Sequence, residues 1–122
     1  MYEIFKQFHF DAAHQLASNV AEDHPYSRLH GHSFTVTVTL RGARDPKTQW
    51  IVNLEKLQKA LDTVHEQLDH RYLNEIEGLE IPTLETISHW IWQKLKPEFP
   101  RLYRVTVERG TLGEGCSYQE SA

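Results

Sequence analysis

A chain of 122 residues with a formal net charge of −4, 25% charged and 39% hydrophobic residues has the make-up of one globular domain, able to bury a moderate core without disulfide or metal staples. That charge balance, with no basic cluster, argues against nucleic acid as a partner, and no apolar run approaches the length needed to span a bilayer. The single cysteine, Cys116, excludes an internal disulfide and fits a reducing cytoplasm.

Residues 2–10 read as a strand that starts directly at Met1-Tyr2-Glu3-Ile4, so no secretion signal is expected. Phe8 and Phe10 share the parity of His14. Residues 15–29 read as a loop, marked by Ser18-Asn19, Glu22-Asp23 and His24-Pro25. A second strand runs from about 31 to 41, where Phe34, Val36, Val38 and Leu40 alternate strictly with threonines. His30 and His32 flank Gly31 as the loop enters this strand. Side chains alternate faces along a strand, so both imidazoles point to one side. An isolated His-x-His pair is a weak signal, and two polar residues at a strand edge are its ordinary reading. The strong strand that follows, and the matching parity of His14, change that reading. Two strands paired side by side bring three imidazoles together, a donor set that leaves one zinc position open, as in catalytic sites.

Asp45-Pro46-Lys47-Thr48 predicts a turn, and Trp50-Ile51-Val52 a short strand continuing the hairpin. Asn53 is placed to cap a helix in which Leu54, Leu57, Leu61, Val64 and Leu68 recur at helical spacing, stopping before Asp69-His70. Thr83, after Pro82, caps a second helix with Glu85 in its first turn and an apolar stripe of Leu84, Ile87, Trp90, Ile91 and Leu95, ended by Pro97 and Pro100. A strand over 103–109 shows Tyr103, Val105 and Val107 on one face, and a last short strand follows Gly113-Glu114-Gly115. This order predicts an α+β fold: a four-stranded antiparallel sheet with two helices on one face. Open sheet edges make oligomerisation an expectation.

Two further positions bear on chemistry. Asp69 beside His70 reads either as a carboxylate that fixes an imidazole tautomer or as a histidine favoured at a helix C-terminus. Glu108 lies on the polar parity of its strand. It reads either as a solvated glutamate or as a carboxylate for the paired N–H donors of an aminopyrimidinone edge. His9, His24, His65 and His89 belong to no such constellation, and His65 and His89 are expected at the surface. Trp50, Trp90 and Trp92 read as core.

Taken in order, Phe8-His9-Phe10-Asp11-Ala12-Ala13-His14, Arg28-Leu29-His30-Gly31-His32-Ser33-Phe34, Leu68-Asp69-His70-Arg71-Tyr72-Leu73-Asn74, Pro82-Thr83-Leu84-Glu85 and Val107-Glu108 resemble the 6-pyruvoyl-tetrahydropterin synthase family. Gly113-Glu114-Gly115-Cys116 resembles that family's C-terminal stretch. In length and texture the chain is similar to the bacterial branch that makes 6-carboxy-tetrahydropterin for queuosine synthesis. The resemblance implies a single tunnelling-fold domain over 1–122, assembled as trimers into a barrel and as a homo-hexamer of two trimers. It implies zinc on His14, His30 and His32, Asp69 and His70 as an acid–base pair, Glu108 as the pterin anchor and Thr83 near the pterin ring. The implied substrate is 7,8-dihydroneopterin triphosphate.

One position departs from the family. Its catalytic cysteine, two residues before the arginine of Arg-x-His-Gly-His, is Tyr26 here. A phenol starts near pKa ~10 and needs a larger shift than a thiol to act as a base. Tyr26 can serve as the replacement acid or base, or pack as a loop aromatic on the barrel rim. Ser27 or a zinc-bound hydroxide can substitute, Glu22 or Asp23 can swing in from the loop, or the base is gone and the lyase is weak or altered. Three functions follow: a zinc-dependent pterin lyase forming 6-carboxy-tetrahydropterin, a paralogue with different side-chain chemistry such as folate-pathway cleavage, or a pterin-binding module without turnover.

Overall fold

The first two strands run longer than their sequence alternation marks. In the computed structural model, which describes residues 1–16, 20–24 and 28–120, β1 spans Tyr2–His14 and β2 spans His30–Gly42. They pair antiparallel along their whole length, from Tyr2 opposite Gly42 to His14 opposite His30. Asp11-Ala12-Ala13 has little strand propensity of its own. It is held extended from both sides. Ser33, His32 and Gly31 pair with it on β2. On its outer edge the Ala13 N–H donates to the Arg71 carbonyl at 3.0 Å and the Asp11 carbonyl accepts from the His70 N–H at 2.7 Å.

The remaining elements are α1 (Leu54–Leu68), α2 (Leu84–Leu95), β3 (Leu102–Arg109) and β4 (Glu114–Tyr118), with 3-10 turns at Leu73–Glu75 and Gly110–Leu112. The sheet order is β1-β2-β3-β4, every pairing antiparallel. Both helices begin where their caps predict. Asn53 accepts from the N–H groups of Glu55 and Lys56, and Thr83 from that of Thr86, each meeting donors that a helix start leaves unpaired.

Both helices cover one face of the sheet, α1 over β1 and α2 over β3 and β4. Between them lie Phe8, Phe10, Phe34, Val36, Val38, Val105 and Val107, against Leu57, Leu61, Ile87 and Ile91, all buried. Phe10 and Phe34 stack with ring centroids 4.7 Å apart. Leu54 drops out of the predicted stripe: it is 39% exposed in the first turn of α1. The opposite face of the sheet is polar, with Gln7 donating to Thr37 at 3.0 Å and Arg104 paired to Glu3 at 3.0 Å.

The predicted strand at Trp50-Ile51-Val52 does not form. Asp45 gathers the segment instead: its carboxylate accepts from the Lys47 and Thr48 N–H groups at 2.8 and 3.0 Å, and its own N–H donates to the Trp50 carbonyl. The Ile51 carbonyl accepts from the Arg101 guanidinium. With these carbonyls met outside a ladder, no strand is needed. Trp50 is accordingly half exposed rather than core, whereas Trp90 and Trp92 are buried as expected. Among the described residues no helix is long and apolar enough to cross a membrane.

Candidate metal centre and active site

His14 at the end of β1 and His30 and His32 at the start of β2 all face the helix side, in line with Phe10 and Phe34. One potential ligand nitrogen from each ring lies within 4.8 Å of the others. Two of the rings are fixed from outside. His14 Nδ1 donates to the carbonyl of Pro82 at 3.2 Å, the residue just before the α2 cap. His30 Nδ1 donates to the Arg28 carbonyl at 2.8 Å. A carbonyl can only accept, so each contact puts the ring proton on Nδ1 and the lone pair on Nε2, the arrangement typical of metal-ligating histidines.

Burial, reinforced by the neighbouring charges of His30, His32 and Arg109, lowers His14 from 6.5 to about 4 against the opposing pull of the Pro82 carbonyl. His32 is lowered too, by burial first and then by Arg109 and His30. Both rings are thus neutral at neutral pH and able to donate lone pairs. His14 Nε2 is buried and makes no hydrogen bond, a state that costs roughly 1–3 kcal/mol unless something takes the lone pair. A zinc ion fits this donor set.

Asp69 and His70 follow α1 and meet the outer edge of β1. Asp69 Oδ1 accepts the Asp11 N–H at 3.0 Å, and its Oδ2 lies 2.8 Å from His70 Nδ1. The Asp11 N–H, then the bond and charge of His70, hold the Asp69 carboxyl below its ordinary range. A carboxylate oxygen accepts, so this contact puts a proton on His70 Nδ1. His70 sits at φ 57, a left-handed backbone that is costly for a residue with a Cβ and clusters at functional sites. Its N–H bond to Asp11 holds it there. His32 and His70 both line an open cleft of about 560 Å³, with Asp11, Gly31 and Tyr72 among its other walls.

Other expectations are placed differently. Glu108 is exposed on the polar face, near Glu3, Thr37, Arg104 and Thr106, so within one subunit the sheet separates it from the histidines. Gly115 lies opposite it, and a Cβ there would come within 2.8 Å of Glu108 Cγ. The Thr83 hydroxyl is occupied as the α2 cap and donates to Thr86 Oγ1 at 3.0 Å. Glu22 and Asp23 are exposed, and Tyr26 and Ser27 lie outside the described residues. His65 is not an isolated surface residue: its Nε2 is 3.6 Å from Asp69 Oδ2, a contact that the i,i+4 spacing could have revealed. His89 is exposed, as expected. Sequence reasoning also missed Arg109, buried beside His32 with Nη1 3.5 Å from Nε2. Its signal was its parity, which it shares with the core residues Val105 and Val107.

The family described as 6-pyruvoyl tetrahydropterin synthase matches residues 3–121. The chain belongs to that family. Its fold is the family's: a solved 6-pyruvoyl tetrahydropterin synthase from Caenorhabditis elegans superposes with a TM-score of 0.88 at 29% identity, over 98% of this chain and 96% of the other. A 6-carboxy-5,6,7,8-tetrahydropterin synthase from Synechocystis is 40% identical over 113 residues, 88% of this chain and 85% of the relative. A dihydroneopterin monophosphate aldolase from Pyrococcus furiosus is 37% identical over 109 residues, 89% of this chain and 86% of the relative. With these relatives the chain is a pterin lyase.

Proposed function

We propose that the chain is a zinc-dependent lyase of 7,8-dihydroneopterin triphosphate that forms 6-carboxy-5,6,7,8-tetrahydropterin. The observation that carries the reading is a set of three histidines with convergent nitrogens, one of which, His32, lines the same open cleft as a His70 oriented by Asp69. In this reading His14, His30 and His32 hold the metal. Zinc held there supplies Lewis acidity toward oxygens of the substrate side chain. Asp69 keeps His70 in one tautomer, and His70 Nε2 exchanges protons with the side chain while triphosphate leaves, one water is taken up, and the two outer carbons depart as a two-carbon aldehyde. Glu108 accepts the paired N–H donors of the pterin edge, with Thr83 near the ring, and Tyr26 takes the place of the family's cysteine as acid or base.

Because Glu108 lies on the other face of the sheet from the histidines, the reading includes a site completed between subunits. The proposed assembly is a hexamer of two trimers, a single domain per chain, working in the cytoplasm on queuosine precursors. The zinc-loaded protein incubated with dihydroneopterin triphosphate should release 6-carboxy-tetrahydropterin, identified by mass spectrometry. Absence of any pterin product from fully metallated protein would overturn the reading. A second reading is aldol cleavage of the side chain, favoured by the Pyrococcus relative and by Tyr26 in place of cysteine. A 6-hydroxymethyl product in the same experiment would select it.

A further inference from the structure

Arg109 closes β3 with the parity of Val105 and Val107, which sends its side chain to the buried face beside the histidines. It is 8% exposed. A guanidinium carries five N–H donors and does not lose its charge, so burial is costly unless those donors are met. They are met poorly. The 3.5 Å contact of Nη1 with His32 Nε2 is at the outer limit of a hydrogen bond. Nε lies 3.1 Å from Glu114 Oε1 yet makes no hydrogen bond, so that pairing has charge without alignment. The Glu114 side chain is 41% exposed and its attraction is partly screened by water.

A fixed cation against a metal ligand is a strange choice for a site that holds a divalent cation, unless an anion joins them. Glu114 supplies one negative charge against the metal and the guanidinium together. Three histidines leave a coordination position open. A guanidinium with free N–H groups is the side chain best shaped to grip phosphate or carboxylate oxygens. We propose that Arg109 and the metal centre together form a binding site for an oxyanion of the ligand, a phosphate or carboxylate group. Arg109 is then a specificity residue, selecting acidic pterins over neutral ones of the same ring. The inference rests on the metal reading of His14, His30 and His32 and needs no pterin chemistry for its test.

The protein is loaded with cobalt(II), and its visible spectrum is followed during titration with inorganic phosphate and, separately, acetate. The wild type should show a saturable spectral shift with at least one of them, and the stronger binder identifies the group. Arg109→Gln should weaken that anion at least tenfold while metal stoichiometry is unchanged. Glu114→Gln removes the competing carboxylate from the same ion pair and should leave anion binding unchanged or tighter. A role in packing alone would move both variants alike, since both break the pair. Should Arg109→Gln not fold by circular dichroism, Arg109→Lys keeps the charge without the fork and should weaken the anion several-fold. No spectral response in the wild type, undiminished binding in the Arg109 variant, or equal losses in the Arg109 and Glu114 variants would overturn the proposal. Failure to take up cobalt would instead sink the metal reading itself.

Discussion

His14 packs its imidazole between the end of the sheet and Pro82, and that position makes a prediction about acid. In the metal-free protein the folded ring stays neutral down to about 4, whereas the unfolded ring titrates at 6.5. The unfolded state therefore binds the extra proton first. Stability is intact above 6.5 and falls as the pH drops toward 4, by at most about 3 kcal/mol and less where water screens the ring. Chemical unfolding of metal-free protein across that range should show the loss, His14→Ala should flatten it, and the same variant should lose bound zinc. A loss of equal size in His14→Ala would assign the acid sensitivity elsewhere. Glu108 gives a second prediction. Glu108→Gln puts a donor against an N–H of the pterin edge and should weaken pterin binding by about 1–3 kcal/mol, since a mismatched polar group in a closed site goes unmet. Gly115→Ala should reproduce part of that loss without touching the carboxylate, because its Cβ would collide with Glu108 Cγ at 2.8 Å. Titration with a fluorescent pterin reads both, and unaltered affinity in both would remove Glu108 from recognition. Tyr26→Phe should lower turnover ~10²–10⁴-fold with zinc content preserved, the usual contribution of a positioned acid or base. Unchanged turnover would leave proton transfer to Asp69 and His70.

Among the elements, α1 does two jobs. Its apolar face closes the core over β1, and its C-terminal end delivers Asp69 and His70 to the edge of that strand. Leu61 is fully buried in the centre of the face. Leu61→Ala should cost about 2–5 kcal/mol through lost transfer energy and the cavity left behind. Urea unfolding checks the magnitude, and a cost below ~1 kcal/mol would mean that the core collapses around the gap. Elements with strong local patterns were legible beforehand. The alternation of Phe34, Val36, Val38 and Leu40 and the caps at Asn53 and Thr83 each depend on a handful of neighbouring residues. Trp50-Ile51-Val52 was misread because its composition favours a strand, while the Asp45 N–H and the Arg101 guanidinium take up its carbonyls outside any ladder. Propensity of a three-residue run is easily overruled in this way.

Over the molecule as a whole, the described residues leave the outer edges of β1 and β4 without a neighbouring strand, apart from the Ala13 bridge to Tyr72. A free strand edge invites pairing with another copy. Sedimentation at micromolar concentration should give six copies per particle, and a monomer would contradict the assembly and the shared site together. The metal triad was legible because a strand has period two: parity alone puts His14, His30 and His32 on one side once β1 and β2 pair. The motif order carried the family, and the alternation and helical spacing carried the antiparallel sheet with its two helices. What only the tertiary structure decided are contacts between segments far apart in the chain. Asp69 reaches the Asp11 N–H, Pro82 orients His14, and Arg109 arrives beside His32. The first two have no local signature, and the parity of Arg109 gives its face but not its neighbour, because each contact depends on how the chain returns to the histidine end of the sheet. The same reason separates Glu108 from the histidines. Its parity was readable, but parity becomes a face only when the helices choose which side of the sheet to cover.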